Sequence, residues 1–421
     1  MYLEPNCPEL IRQAVADAEE TLLRQLPKIL EIATHNHEKV LKAFQTERVS
    51  TYHLQGTTGY GLDDSGREVL DRVVARILGT EAALVRGQFV SGTHAIACAL
   101  FGVLRPGDHV ISVSGSPYDT LEEVIGIRGK GQGSLIDFGV SYDAIPLDSH
   151  GELQYALLSK SITDKTRMLM VQRSRGYAWR NSMMISQIKE LVTFVRNSYP
   201  EILIFVDNCY GELVENQEPG EIGVDLMAGS LIKNLGGSLA PTGGYVAGRS
   251  DLVKLTAQRL TAPGIGGHMG ATLEWQRLFY QGLFLSPLTV SEAIKGAVFS
   301  AAFWRALGFQ VQPEPEAPRT DLIQAVKLGS RAKMISFCEG IQKGSPVDSH
   351  VSPIPCGMPG YDDKVIMAGG TFIQGATSEF SADGPLREPY IVYQQGGISS
   401  TYVQMGNILA ALNLWEQGLL D

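Results

Sequence analysis

The chain is built from two patterns of hydrophobic and polar positions. Short apolar runs such as ILIFVD (202–207) are typical of strands that are buried on both faces of a parallel sheet. Longer segments such as 182–199 carry apolar residues at spacings of three and four, which predicts amphipathic helices. Because the two kinds of segment alternate from residue 67 onward, the sequence predicts an α/β fold with a mostly parallel sheet and helices on each side.

The same patterns assign the individual elements. Strands are predicted at 82–86, 109–113, 167–172, 202–207, 226–233 and 243–248. Helices are predicted at 67–79, 91–104, 117–128, 182–199 and 251–261. Residues 8–45 predict two helices separated by Pro27, and two further helical segments are predicted at 271–285 and 288–307.

We expect three parts along the chain. They are an N-terminal helical arm (1–60), a large α/β domain (61–285) and a smaller C-terminal α+β domain (286–421). The composition of PEPEAPRT (313–320) is that of a linker. After it, LIQAVKLGSRAKMISFCEGIQ predicts a helix that is followed by turn-rich strands.

Composition and charge exclude several classes of function. The 421 residues include 35 Lys plus Arg against 45 Asp plus Glu, so the net charge of −10 has the wrong sign for binding nucleic acid or anionic lipid. No apolar run is long enough for a membrane helix, and the N-terminal MYLEPNCPEL lacks the pattern of a signal peptide. The sequence therefore predicts a cytoplasmic protein with neither nucleic acid nor membrane as a partner.

Neither a disulfide framework nor a metal site is expected. The five cysteines are an odd number, lie far apart and form no C-x-x-C pair. His35 and His37 form an H-x-H pair, but positions i and i+2 diverge on a helix. We predict reduced thiols and no metal.

Four polar features fall where predicted strands end, which is the edge of a parallel sheet that binds ligands. SGTH (91–94) begins a helix whose free N–H groups suit a phosphate, and Tyr118 follows the next strand. Asp207 ends the most hydrophobic strand, and Lys233 lies among small and apolar residues that favour its neutral, nucleophilic form. Each feature also has an ordinary explanation, such as a helix cap, a packing tyrosine or a turn aspartate.

In this order the features resemble the fold-type I pyridoxal 5′-phosphate (PLP) enzymes. Ser230, three residues before Lys233, matches the phosphate-binding serine of cystathionine and methionine lyases. Segments such as VDNCYGE and SLIKNLGGSLAPTGGYVAG are similar to the methionine γ-lyase-like or aluminium resistance proteins, also described as cystathionine β-lyase-like. The resemblance covers most of residues 56–400.

The resemblance implies a PLP-dependent transferase-like large domain with a sheet of the seven-stranded type, and PLP as the cofactor. Lys233 would hold PLP as a Schiff base, Asp207 would keep the pyridine nitrogen protonated, and Tyr118 would stack on the ring. These three are the expected catalytic residues. The residues expected to bind the cofactor are Tyr60, Gly92, Thr93, Tyr118, Asp207, Tyr210, Ser230 and Lys233. Among them Gly92, Thr93 and Ser230 would hold the phosphate, and Tyr210 is a candidate for the phenolic oxygen.

The resemblance also implies how substrate and subunits are arranged. Arg387 would clamp the substrate α-carboxylate, with a surface salt bridge as the alternative. Arg173 or Arg175 in QRSRGY would approach the cofactor or a second substrate carboxylate, and the sequence does not choose between them. Tyr60 resembles a tyrosine that lyases lend to a neighbouring subunit, so we expect a homodimer or homotetramer with shared active sites.

The predicted function is that of a PLP-dependent carbon–sulfur lyase. Its substrate would be an amino acid such as cystathionine, methionine or a related thioether, cleaved by α-proton abstraction and β- or γ-elimination. One alternative is an aminotransferase or another PLP enzyme of amino-acid metabolism, which Tyr210 favours. Another is a PLP-binding stress or metal-tolerance protein without lyase activity.

Overall fold

The apolar runs of the large domain form the strands of one sheet in the computed structural model, which describes residues 7–129, 132–358 and 360–420. The first six residues of the predicted arm lie outside this description. The strands are β1 (Ala82–Arg86), β2 (His109–Ser112), β3 (Ser141–Ala144), β4 (Thr166–Gln172), β5 (Leu203–Asp207), β6 (Leu226–Ser230) and β7 (Gly244–Gly248). Their order is β1-β7-β6-β5-β4-β2-β3, with only β7 antiparallel to its neighbours. The predicted α/β class and mostly parallel seven-stranded sheet are confirmed.

Both faces of this sheet are buried, which explains the continuous apolar runs. In β4, Met168 and Met170 belong to one hydrophobic core, and Leu169 and Val171 belong to the core on the opposite face. The helices are α1 (Glu9–Thr46), α2 (Ser65–Leu78), α3 (Gly92–Val103), α4 (Asp119–Ile125), α5 (Tyr155–Ser161), α6 (Ile185–Ser198), α7 (Ser250–Leu260), α8 (Gln276–Ala306), α9 (Arg331–Lys343) and α10 (Ser400–Glu416). The edge strand β3 and the short helix α5 were not predicted. The residues of β3 are mostly exposed, so it carries no hydrophobic pattern.

The C-terminal part contains a second, antiparallel sheet. Its strands are β8 (Gln310–Gln312), β9 (Ile323–Lys327), β10 (Val365–Ala368), β11 (Ser381–Pro385) and β12 (Ile391–Gln395), in the order β10-β11-β12-β9-β8. The helix predicted from Leu322 onward is therefore wrong in its first third, because IQAVK forms β9. Gly329 turns the chain with φ +75°, and the Ser330 hydroxyl caps α9 by accepting a bond from the Lys333 N–H at 3.2 Å.

Two helices continue through a proline at which the sequence predicted a break. In α8, Pro287 has no N–H for the Leu283 carbonyl, but the Ser286 hydroxyl donates to that oxygen at 2.7 Å. In α1, Pro27 lies on the exposed side, and the helix packs along α8. A proline costs a helix interior about 3 kcal/mol, which tertiary packing can offset. The predicted domain boundary at 285/286 falls within α8, and the three-part division stays a prediction.

In the described part of the chain, none of the helices is both long enough and apolar enough to cross a bilayer. The cytoplasmic location stays a prediction.

Candidate active site

A cavity of about 270 Å³ lies where the large sheet faces the small one. The carboxyl ends of β4, β5 and β6 and the first turn of α3 form one side, and residues of β9, β11 and β12 form the other. Such a crevice is where ligands bind on parallel sheets. The predicted site residues that line it are Gly92, Thr93, Tyr118, Asp207, Tyr210, Ser230 and Lys233.

Lys233 follows β6 and lies directly over an aromatic ring. Its Nζ atom is 3.6 Å from the centroid of the Tyr210 ring. Tyr210 has a left-handed backbone with φ +70°, and the Asn234 side chain holds its carbonyl oxygen by donating a hydrogen bond at 3.0 Å. The residue next to Lys233 therefore fixes the position of the ring beneath Lys233.

The surroundings of Lys233 favour its charged form. Burial acts to lower the pKa of the lysine, but the neighbouring groups of Cys209, Tyr210 and Asp207 outweigh it, so the pKa is raised. Burial raises the pKa of Cys209, Tyr210 and Asp207 as well. The expectation that apolar neighbours deprotonate Lys233 is therefore not met in the protein alone.

Asp207 is a buried carboxyl group at the end of β5, with 3% of its surface exposed. Its Oδ1 atom accepts a hydrogen bond from the Cys209 N–H at 3.1 Å. Burial raises its pKa, although Lys233 and the Cys209 hydrogen bonds lower it. No salt bridge in the described part of the chain includes Asp207. Because a buried carboxylate needs a cationic partner, this residue fits the protonated ring nitrogen of PLP.

The first turn of α3 forms a cradle for an anion. The Ser91 hydroxyl caps the helix by accepting a bond from the His94 N–H at 3.1 Å, so the amides of Gly92 and Thr93 need other partners. A Cβ atom on Gly92 would lie 3.1 Å from the Ser230 Cβ and 3.3 Å from the Cys209 Sγ. Glycine thus lets the helix end approach Ser230 closely. This donor set fits a phosphate group.

Tyr118 is tied to both the cradle and the sheet. Its hydroxyl lies 2.9 Å from the Thr93 Oγ1, and its N–H donates to the Gln172 Oε1 at 2.8 Å. Burial, and then the charge of Asp207, raises the pKa of the phenol well above its usual value. The ring is therefore a neutral and fixed side of the cavity. Gln172 ends β4 as Asp207 ends β5, so the rule applied to Asp207 would also have found it.

Tyr60 is not among the residues that line the cavity. Its side chain is 73% exposed, yet its loop is well held. The buried Arg67 guanidinium donates to the carbonyl oxygens of Gly61 and Gly270 at 2.6 and 2.8 Å. The Gly270 N–H donates to the Tyr60 carbonyl at 3.0 Å. Tyr60 is thus an exposed ring on a fixed loop.

The structure brings none of the three predicted arginines to the cavity. Arg387 follows β11 in a turn and pairs with Asp363 at 3.3 Å, which is the surface salt bridge considered as its alternative. Arg173 pairs with Glu215 at 3.0 Å. Arg175 donates to the Gln312 carbonyl at 2.8 Å. A role for Arg387 or Arg175 at the substrate would require these contacts to change.

Sequence reasoning missed the far side of the cavity. This side is formed mainly by residues of the C-terminal part, and the principal ones are Tyr177, Ile323, Tyr361, Asp383, Tyr393 and Gln395. Asp383 is 6% exposed, and burial raises its pKa to about 7. The sequence SADGP of β11 carries no signal that would single this residue out.

Comparisons with known proteins extend over nearly the whole chain. A family model described as methionine gamma-lyase matches residues 11–415. YnbB of Bacillus subtilis, described as uncharacterized, is 48% identical over 413 residues and covers 98% of each chain. A Listeria innocua structure, named as a putative cystathionine beta-lyase involved in aluminum resistance, is 54% identical, with a TM-score of 0.93 over 96% of this chain and 99% of that one. A Clostridium novyi NT structure, named as a carbon-sulfur lyase involved in aluminum resistance, is 46% identical, with a TM-score of 0.92 over 97% of this chain and 96% of that one.

Proposed function

Because the chain belongs to the methionine gamma-lyase family, with PLP as its cofactor, we propose that it is a carbon–sulfur lyase acting on a sulfur-containing amino acid. Substrates of this class are cystathionine, methionine and related thioethers, cleaved by β- or γ-elimination. The observation that carries the proposal is the convergence of Lys233, Asp207 and Tyr118 on one cavity. Fold alone does not specify a reaction, so the argument rests on these side chains.

The residues that would hold PLP follow from the donor set. Gly92, Thr93 and Ser230 surround the anion cradle and would bind the phosphate. Asp207 would pair with the ring nitrogen, Tyr118 would stack on the ring, and Lys233 would hold the aldehyde carbon through Nζ. When bound in this way, PLP withdraws electrons from the substrate α-carbon, which makes loss of the α-proton feasible.

Lys233 is the residue we assign to the α-proton. As an ammonium over the Tyr210 ring it cannot accept a proton, so the site has to lower its pKa before it acts. A positive charge placed beside Asp207 would lower it, because Asp207 is one of the neighbouring groups, after Cys209 and Tyr210, that raise the pKa of the lysine. Cofactor binding and base activation are therefore linked through Asp207.

We also propose that active sites are shared between subunits. Tyr60 is exposed on a loop fixed by Arg67, far more exposed than a ring that packs within its own subunit. A homodimer or homotetramer would place it at the neighbouring site, where its hydroxyl could bind the phosphate. Arg387 and Arg175 remain our candidates for the substrate carboxylate in such an assembly, once they exchange their present contacts with Asp363 and the Gln312 carbonyl for it.

The function is tested by product analysis. Purified holoprotein is incubated with cystathionine or methionine, and thiol, ammonia and keto acid are quantified. We expect the three products in equal amounts, and their loss in Lys233→Ala but not in Lys254→Ala, an exposed control lysine. Pyridoxamine phosphate without thiol would instead establish an aminotransferase. If neither thiol nor pyridoxamine phosphate forms with any thioether, the stress or metal-tolerance alternative remains.

A further inference from the structure

The half of the cavity that faces the small sheet is lined mainly by aromatic side chains and one buried carboxyl group. Three tyrosine rings, Tyr177, Tyr361 and Tyr393, form what we call the tyrosine wall. The centroid of the Tyr177 ring lies 5.7 Å from that of Tyr361 and 5.2 Å from that of Tyr393, with interplanar angles of 55° and 45°. The inclined rings therefore form one continuous aromatic surface beside the cavity.

A buried carboxyl group lies against the tyrosine wall. The Oδ2 atom of Asp383 accepts a hydrogen bond from the Gln395 side chain at 2.9 Å, whereas its buried Oδ1 atom makes none. The Tyr177 hydroxyl also acts on this carboxyl group as a donor and lowers its pKa. Burial raises the pKa of all three wall phenols, and the Asp383 charge adds to the effect in each. At neutral pH the rings are neutral, and Asp383, whose pKa burial raises to about 7, is the group of this half that can become negative when a cation lies beside it.

The charges that line the cavity leave Asp383 without a partner once the cofactor is bound. The charged residues of the described lining are Lys233, Asp207 and Asp383. Our proposed function assigns Lys233 to the cofactor aldehyde and Asp207 to the ring nitrogen. Arg175 and Arg387 lie outside this lining, where their guanidinium groups bond to the Gln312 carbonyl and to Asp363, and the proposed function assigns them to the substrate carboxylate.

We propose that the tyrosine wall and Asp383 bind a positively charged group in the substrate side chain, either an ammonium or a sulfonium. The inference rests on the proposed function and names its substrate class. Aromatic faces attract cations through the ring quadrupole, and most strongly in desolvated sites. A cation in the same pocket would favour the ionised form of Asp383 and pair with it, whereas a neutral side chain would leave the carboxyl group largely protonated and without that attraction. The site therefore selects charged side chains over neutral ones of similar size.

The test is a binding titration that does not depend on turnover. Holoprotein is titrated with two pairs of amino acids that differ mainly in side-chain charge, and binding is followed by the change in the visible cofactor band. Lysine against norleucine tests an ammonium, and S-methylmethionine against methionine tests a sulfonium. We expect the cationic member of at least one pair to bind ten-fold or more tighter, and the better pair identifies the kind of cation.

Two sets of variants assign the preference to its residues. Asp383→Asn should reduce the preference to about two-fold or less, and the exposed control variant Asp164→Asn should leave it unchanged. Should Asp383→Asn fold poorly, Tyr361→Leu should weaken the cationic ligands several-fold, whereas Tyr361→Phe, which keeps the ring, should not.

The outcomes separate this inference from the proposed function. Equal affinities within both pairs, or a preference that survives in Asp383→Asn, would overturn the inference while leaving the lyase proposal standing. If none of the four amino acids changes the cofactor band, the inference fails, and if cystathionine, titrated alongside them, changes it neither, the proposed function fails as well.

Discussion

The Nζ atom of Lys233 lies 3.6 Å from the centroid of the Tyr210 ring, in the cavity whose lining also includes Asp207. A cation over a ring face is stabilised, so the contact favours the ammonium form of the lysine that must later act as a base. Tyr210 is held beneath it in a left-handed backbone conformation by the Asn234 side chain. The ring and the buried groups around it therefore raise the pKa of Lys233, and Asp207 is one of these groups.

Removal of the Tyr210 ring should make Lys233 less basic. The contact contributes roughly 0.5–2 kcal/mol to the ammonium form, so Tyr210→Leu should lower the lysine pKa by up to about 1.5 units. The rate at which apoprotein develops the visible band with PLP, measured against pH, reports the neutral amine. The profile should move to lower pH in Tyr210→Leu, and it should move less in Tyr210→Phe, which keeps the ring and loses only the hydroxyl that also acts on Lys233. An unchanged profile in both variants would show that the ring does not act on Lys233.

Asp383 should make the apoprotein less stable as pH rises. Its folded-state pKa is raised to about 7, so the folded state prefers the protonated form, and the free energy of unfolding falls as pH rises from about 4 to 7. Asp383→Asn removes this dependence. The melting temperature of Asp383→Asn minus that of the wild type should therefore be larger at pH 8 than at pH 4.5. The exposed control Asp164→Asn should show no such change. A difference of the same size at both pH values contradicts the prediction.

Gly92 should be required for cofactor affinity more than for folding. In Gly92→Ala the new Cβ would meet Ser230 and Cys209 at 3.1 and 3.3 Å, which pushes the first turn of α3 away from Ser230. Losing one hydrogen bond to a charged phosphate costs about 1.5 kcal/mol or more, so the Kd for PLP should rise roughly ten-fold. Equilibrium dialysis measures it. Gly357→Ala, where no atom lies within 4 Å, is the matched control, and equal Kd values in the two variants would argue against the cradle.

A shared active site should be visible as complementation between inactive subunits. Tyr60→Ala and Lys233→Ala chains are each expected to lose most activity when pure. After unfolding and refolding together, one intact site forms in each mixed pair, so about a quarter of wild-type activity should return if sites are built across a two-fold interface. Mixtures that stay as inactive as their components would place Tyr60 outside the neighbouring site.

The large-domain half of the site could be predicted because each of its residues follows a local signal. Asp207 and Ser230 end apolar strands, and Gly92 begins a helix after another strand. The carboxyl ends of parallel strands meet at one edge, so residues that follow these strands in sequence lie close together in the structure. The alternation of strands and helices likewise predicted the α/β class, which the structure confirms.

The other half depends on how distant parts of the chain pack. Asp383 and Tyr393 face the cavity only because β11 and β12 pair in the second sheet, with these two residues opposite each other. No local pattern around either residue reveals that pairing. Arg387 stands a few residues beyond Asp383, yet a turn after Pro385 carries it to Asp363 instead. The continuity of α8 through Pro287 likewise depends on one hydroxyl, that of Ser286.

The measurement that tests the account most directly is the identification of the lysine that holds PLP. Holoprotein is reduced with borohydride, digested and analysed by peptide mass spectrometry, with the visible spectrum recorded before reduction and with Lys233→Ala in parallel. We predict a visible band that is absent from Lys233→Ala and a phosphopyridoxyl group on the peptide that contains Lys233. A visible band that persists in Lys233→Ala, or a label on any other lysine, would contradict the active site described above.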